Sequence, residues 1–312
     1  MKTPIILDCD PGHDDAIALI LAVAASNIDL MGVTTSAGNQ MPAKTLNNAM
    51  RILTLLGQTE IPVAPGLKKP LLRKLETDVA MHGLTGLDGA DLPEPDFPVY
   101  SGSAIDLLAT KVKTSKDPVT IVVTGPCTNI AFFLSLHTEL KYKIKEIVIL
   151  GGGMGVGNKM PTTEFNMLED PESAKIVIES GIKIVLFPLN VAFKAQLLDE
   201  DMKKMSKIKN KVSRAVVDLL NNYGIQFDQG TRPFKGIPIY DPCCISWLMN
   251  PSIFSGKECH VDIETKGEFT TGETIIDYYD LTKKNKNAFV LFDIERELFA
   301  QQIIDSLKSF SK

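Results

Sequence analysis

Apolar residues in this chain come in short unbroken runs rather than in strict alternation. Pro4 to Asp10 (PIILDCD), Leu30 to Thr35, Val119 to Thr124 (VTIVVT), Ile144 to Leu150 (IKEIVIL) and Ile182 to Leu186 each read as strands buried on both faces. The stretches between them predict helices over Asp15–Ser26 and Pro42–Leu56, from about Asn129, and after the Asp170-Pro171 turn. Strands alternating with helices imply βαβ crossovers, so the expected fold is α/β, an open and mostly parallel sheet flanked by helices. From Cys259 to Leu281 the pattern changes. HVDIET, the Lys266-Gly267 turn and EFTTGETIIDYY predict a small antiparallel extension, followed by a strand (AFVLFDI) and a helix from Arg296 to Phe310. No linker, repeat or low-complexity tract interrupts the chain, so residues 1–312 are read as one domain. Two long stretches, Pro65–Tyr100 and Asn221–Tyr240, read as mobile loops of the kind that act as lids or binding loops.

Composition narrows the classes. With 312 residues, 44% of them hydrophobic, the chain can bury a large core and is not a disordered one. A net charge of −5 and the lack of a basic stripe argue against nucleic acid as a partner. The apolar run Ala16–Ala25 is too short to span a bilayer, and Asp8 and Asp10 interrupt the place where a secretory leader would be apolar. Five cysteines (Cys9, Cys127, Cys243, Cys244 and Cys259) show no CxxC spacing, which predicts free thiols in a reducing cytoplasm.

The chemistry concentrates at strand ends. Asp8, Asp10, Asp14 and Asp15 lie within eight positions, with no Lys or Arg between Thr3 and Ala43 to neutralise them. The carboxyl end of a parallel strand is where open α/β sheets bind ligands. Like charges packed there need a counter-charge, and an all-oxygen donor set suits calcium or magnesium. Dipole stabilisation at a helix start accounts for Asp14 and Asp15 at most. Three further clusters follow strands in the same way: Ser36-Ala37-Gly38-Asn39, Thr124-Gly125-Pro126, and the Gly-rich run Gly151 to Asn158. That run fits no GxGxxG register. It fails as a phosphate-binding P-loop because Asn158 stands where Lys is required. Glu164-Phe165-Asn166 offers a carboxylate and an amide around an apolar ring, as a polyol site would, and Asp241 can complete an oxygen cage. His82 is a loop histidine that could contact a base or donate a proton.

With these residues assembled, the chain resembles the inosine-uridine preferring nucleoside hydrolases over nearly its whole length, closest to the bacterial pyrimidine-preferring ribonucleoside hydrolases. DCDPGHDDAIAL carries the resemblance, supported in order by GNQ, HGLTGLDG, TGPCTNIA, GGGMGVGN, EFN and DPC. The resemblance implies a Rossmann-like core and calcium-dependent hydrolysis of the N-glycosidic bond of ribonucleosides, uridine and cytidine above all. It implies calcium held by Asp10, Asp15, Asp241 and the carbonyl of Thr124, with Asp10 the general base. Asp14, Asn39, Met154, Asn158, Glu164, Phe165 and Asn166 match substrate-binding positions, and His82 and Tyr240 fall on the side of the leaving base. A homodimer or homotetramer is implied as well. Tyr240 stands where many members carry His, and Asn190 and Phe193 stand where relatives more often show Asp and His. Two competing readings are a nucleoside-binding protein without turnover and a haloacid-dehalogenase-like phosphohydrolase. The second fits poorly, because Gly12 replaces the Thr or Val expected two residues after the second Asp.

Overall fold

A computed structural model describes residues 2–228 and 234–311. Its strands are β1 (Thr3–Cys9), β2 (Ile28–Thr35), β3 (Val63–Pro65), β4 (Val119–Val123), β5 (Ile144–Leu150) and β6 (Ile184–Phe187). They continue with β7 (Gln196–Leu197), β8 (Ile237–Pro238), β9 (Phe254–Cys259), β10 (Val261–Ile263), β11 (Thr274–Ile276) and β12 (Ala288–Ile294). The main sheet runs β3-β2-β1-β4-β5-β6-β12-β9. Every neighbouring pair in it is parallel except β12 with β9. The expected α/β architecture is therefore present, and β10 pairs antiparallel with β11 in the expected extension.

The unbroken apolar runs follow from burial on both faces. Ile5, Leu7 and Cys9 of β1 face one core, together with Val122, Val148 and Val185 of the next strands. Ile6, Ile121, Ile149 and Leu186 face the other. Helices His13–Ala24, Pro42–Leu56, Lys211–Asp228, Pro242–Met249 and Arg296–Ser309 close the first face. Helices Ala104–Thr114, Thr128–Leu136 and Pro171–Ile178 close the second. The helices Ala104–Thr114, Asp199–Ser206, Lys211–Asp228 and Pro242–Met249 and the edge strand β9 are among the elements that the apolar pattern left unassigned.

One expectation is corrected. The stretch from Asn221 is not loop throughout, because the helix Lys211–Asp228 runs into it. Val212, Val216, Leu219, Leu220 and Tyr223 recur at helical spacing and are all buried, so packing carries the helix on past Asn221. Residues 229–233 of that stretch lie outside the described residues. Pro65–Tyr100 is irregular apart from the short helix Val79–His82. Among the described residues no helix is long and apolar enough to cross a membrane.

Candidate active site

The carboxyl ends of β1 and β4 lie side by side where the winding of the sheet reverses. Loops leaving the two strands diverge there, and such a switch point is where open α/β sheets hold ligands. Asp10 is the first residue past β1 and Thr124 the first past β4. A cavity of about 260 Å³ opens above them. Asp14, Asn39, His82, Thr124 and Asn158 line it, as do Glu164, Phe165, Asn166, Tyr240 and Asp241. Asp10 and Asp15 sit beneath this lining, 0% and 1% exposed. Met154 lies outside the lining. Its backbone N–H donates to Asn190 Oδ1 at 2.8 Å and its carbonyl accepts from Asn190 Nδ2 at 3.2 Å. The Asn190 amide thus clasps the Gly-rich loop.

Local hydrogen bonding fixes the floor. Helix His13–Ala24 starts two residues before the expected Asp15, because the Gly12 N–H donates to Asp15 Oδ2 at 3.0 Å. Asn39 Nδ2 donates to the same oxygen at 3.0 Å, and Thr124 Oγ1 donates to Asp15 Oδ1 at 2.8 Å. The Asn39 backbone N–H donates to Asp10 Oδ2 at 2.6 Å. Backbone presses on Asp10 from two sides: a β-carbon at Gly38 would lie 2.1 Å from its Oδ2, and one at Gly125 2.7 Å from its Oδ1. Asp8 does not line the cavity. It anchors the loops by accepting from Thr34 Oγ1 and, at 2.8 Å, from Asn129 Nδ2.

Burial dominates the electrostatics. It pushes Asp10 and Asp241 well above the usual carboxylate range, with neighbouring aspartates adding to the shift. It raises Asp14 to about 7 and raises Asp15 as well. Oxygens of Asp14, Asp15 and Asp241 lie within 4.8 Å of one another, and Asp10 Oδ1 is buried without a hydrogen-bond partner. Carboxylates so placed require protons or a cation, and an all-oxygen cluster fits a hard metal ion.

Glu164 caps the helix Phe165–Glu169, accepting from the N–H groups of Asn166 at 3.0 Å and Met167 at 3.1 Å. Gly152 N–H adds a third bond at 3.2 Å, yet burial still lifts Glu164 to about 7. Asn166 Nδ2 donates to the Thr124 carbonyl at 2.7 Å, and Asn158 Oδ1 accepts from the Phe165 N–H at 2.8 Å. Burial, with His13 alongside, lowers His82 to about 3. His82 Nδ1 accepts the His13 backbone N–H at 3.3 Å, so the neutral ring carries its proton on Nε2.

Opposite the floor stands an aromatic wall. Tyr223 stacks on His82 with ring centroids 5.4 Å apart and meets Phe227 edge-on at 4.9 Å. Phe234 joins Phe227 at 5.5 Å and Phe193 at 5.6 Å, and Phe193 meets Tyr240 at 5.9 Å. Sequence reasoning missed Asp78, Lys159, Tyr223, Gln226, Phe227 and Phe234 as lining residues. All but Lys159 fall in the two stretches read as binding loops, and the spacing of Tyr223 and Phe227, four apart on one helical face, is a further signal.

A doubly wound sheet carrying a buried carboxylate cluster under an open pocket defines a hydrolase-type site at a switch point. The family model for inosine-uridine preferring nucleoside hydrolases matches residues 5–301. The pyrimidine-specific ribonucleoside hydrolase RihA of Shewanella sp. (strain ANA-3) is 51% identical over 311 residues, covering 100% of this chain and 98% of that one. The protein of the same name from Escherichia coli O1:K1 / APEC is 48% identical and covers 100% of each chain. Among solved structures, the purine-preferring ribonucleoside hydrolase from Gardnerella vaginalis superposes with a TM-score of 0.92 at 26% identity, covering 99% of both chains. The chain belongs to the inosine-uridine preferring nucleoside hydrolase family. It is an N-glycosidase that hydrolyses ribonucleosides to ribose and free base, which sets aside the phosphohydrolase and the turnover-free readings.

Proposed function

We propose that this enzyme prefers pyrimidine ribonucleosides, uridine and cytidine, and depends on calcium. The relatives near 50% identity, both named for pyrimidine specificity, support the base preference. The observation that carries the metal reading is the buried cluster itself: three carboxylates with converging oxygens and the unpartnered Asp10 Oδ1 beside them. Asp10, Asp15 and Asp241 would hold the ion, with the second lone pair of the Thr124 carbonyl. When bound, calcium supplies the charge that lowers the pKa of water and orients the sugar hydroxyls.

The chain's own groups do the rest. Asp10 takes the proton of the attacking water as general base. Cleavage builds oxocarbenium character on the sugar. Asp14, Asn39, Asn158, Glu164 and Asn166 hold the ribose hydroxyls, with Phe165 against the ring. His82, neutral and protonated on Nε2, and Tyr240 face the leaving base as hydrogen-bond donors. The reading treats residues 1–312 as one domain that works as a homodimer or homotetramer in the cytoplasm. The five buried free thiols support that compartment.

The test is reducing-sugar release from uridine, cytidine, inosine and adenosine, with calcium and after chelation. Uridine and cytidine cleavage that vanishes with the chelator and returns with calcium is the expected result. Ribose release that survives chelation overturns the metal reading, and equal rates on inosine overturn the base preference.

A further inference from the structure

Two walls of the cavity that are far apart in sequence meet in one ion pair. Lys159 Nζ lies 3.2 Å from Asp78 Oδ1, and both side chains line the cavity. Lys159 is the one Lys or Arg among the described lining residues. Its ammonium also lies 5.4 Å from the centre of the Phe165 ring, within cation–π range. The pair is half-buried, with the Lys159 side chain 31% and the Asp78 side chain 16% exposed.

Asp78 is the residue that starts the helix Val79–His82. Its carbonyl accepts the N–H groups of Met81 at 3.0 Å and His82 at 3.1 Å. The chain leading to it is strapped down at intervals. Leu71 N–H donates to Asp170, Arg73 grips Glu172 through two bonds, and Glu76 N–H donates to Glu169 at 3.0 Å. Beyond Glu76 the next side-chain tether is Asp78 to Lys159. Lys159 itself stands in a tight turn whose N–H groups, from Asn158 to Met160, converge on the Thr163 carbonyl. One ion pair therefore joins the helix carrying His82 to the turn that carries Asn158 and leads into the helix starting at Phe165.

We propose that Lys159 is a positioning residue. Through Asp78 it draws the helix Val79–His82 across the cavity mouth and sets the distance between the His82 wall and the ribose wall around a bound nucleoside. The inference rests on the nucleoside hydrolase reading for its substrate, but not for its geometry. A partly exposed pair is worth up to about fivefold in an equilibrium and is weakened by salt. The effect falls on substrate affinity, because the pair touches none of the proposed reacting groups.

Charge reversal and rescue test it. Lys159→Glu and Asp78→Lys are each expected to raise the KM for uridine by about fivefold and to change kcat less than KM. The double variant Asp78→Lys/Lys159→Glu, which restores an opposite-charge pair, is expected to return KM to within about twofold of the original. Amide exchange at Met81, His82 and Gly83 reports the same helix without turnover. It should quicken in each single variant and in the unmodified enzyme at high salt, and slow again in the double variant. Single variants with unaltered KM and exchange, or a double variant as impaired as the two singles combined, overturn the proposal. If the unmodified enzyme cleaves no nucleoside, the substrate reading fails and the exchange pattern alone decides the latch.

Discussion

The floor of the cavity draws on residues at or just past a strand or at a helix start: Asp10 after β1, Thr124 after β4, Asp14 and Asp15 opening a helix, Asp241 just before another. The opposite wall takes Tyr223 and Phe227 from the middle and end of a long helix, His82 from the end of a short one, and Phe234 and Tyr240 from either side of β8, with Phe193 packed against the last two. Floor positions are set by backbone geometry and by short hydrogen bonds into carboxylates. Wall positions are set by ring packing, which tolerates exchange of one ring for another. The floor is thus suited to chemistry that permits little displacement, and the wall to differences in the base.

Experiments can break or sharpen this contrast, beginning with the largest effect. If the floor hydrogen-bonds every ribose hydroxyl, as proposed, it should reject 2′-deoxyuridine by about 10⁴-fold in kcat/KM, since buried polar groups lose their partners. Comparable turnover of the deoxynucleoside would show that the floor does not read that hydroxyl. Asp10→Asn replaces the proposed general base and ion ligand by an amide of the same shape, and should lower kcat by about 10²–10⁴-fold. Single-turnover rates that stay within tenfold would move the general base elsewhere. At the wall, Tyr240→Phe and Tyr240→Ala are expected to change kcat/KM for uridine by up to about tenfold and to shift the uridine-to-inosine ratio, while inhibition by free ribose stays constant. If neither variant alters any nucleoside, Tyr240 does not touch the base.

The smallest effect concerns the strap that feeds the wall. Burial raises Glu169 to about 7, with Glu76 and Asp170 adding to it, and its carboxylate accepts the Glu76 N–H. Folded Glu169 keeps a proton that an unfolded glutamate, with a pKa of about 4.3, has lost. Its contribution to stability is therefore fullest below about pH 4 and is lost as pH rises through about 7. Glu169→Gln should melt a few degrees higher than the unmodified enzyme at pH 8 and at the same temperature at pH 4.5. Equal melting curves at pH 8 would show that the carboxylate is solvated after all.

How far the sequence reached follows the same divide. The parallel sheet was legible because burial on both faces leaves continuous apolar runs, and β1, β2, β4, β5 and β6 stand within a few residues of their expected places. Strand β9 was not, because FSGKEC lies at the sheet edge, where its exposed positions dilute the apolar signal. The helix Lys211–Asp228 was not, and its end was read as loop from Asn221 because Asn221, Asn222 and Gly224 are poor helix formers, whereas packing of Tyr223 overrides them.

By itself the sequence determined the strand-end carboxylates, the fold class and the family, since these depend on residues that are neighbours along the chain. Only the tertiary structure decided that Asp14, Asp15 and Asp241 converge within 4.8 Å, that Asn190 clasps the Gly-rich loop, and that Asp78 reaches Lys159. Those contacts join segments 36 to 226 residues apart, or more. No local pattern records them, because they are fixed by how helices and loops pack onto the finished sheet.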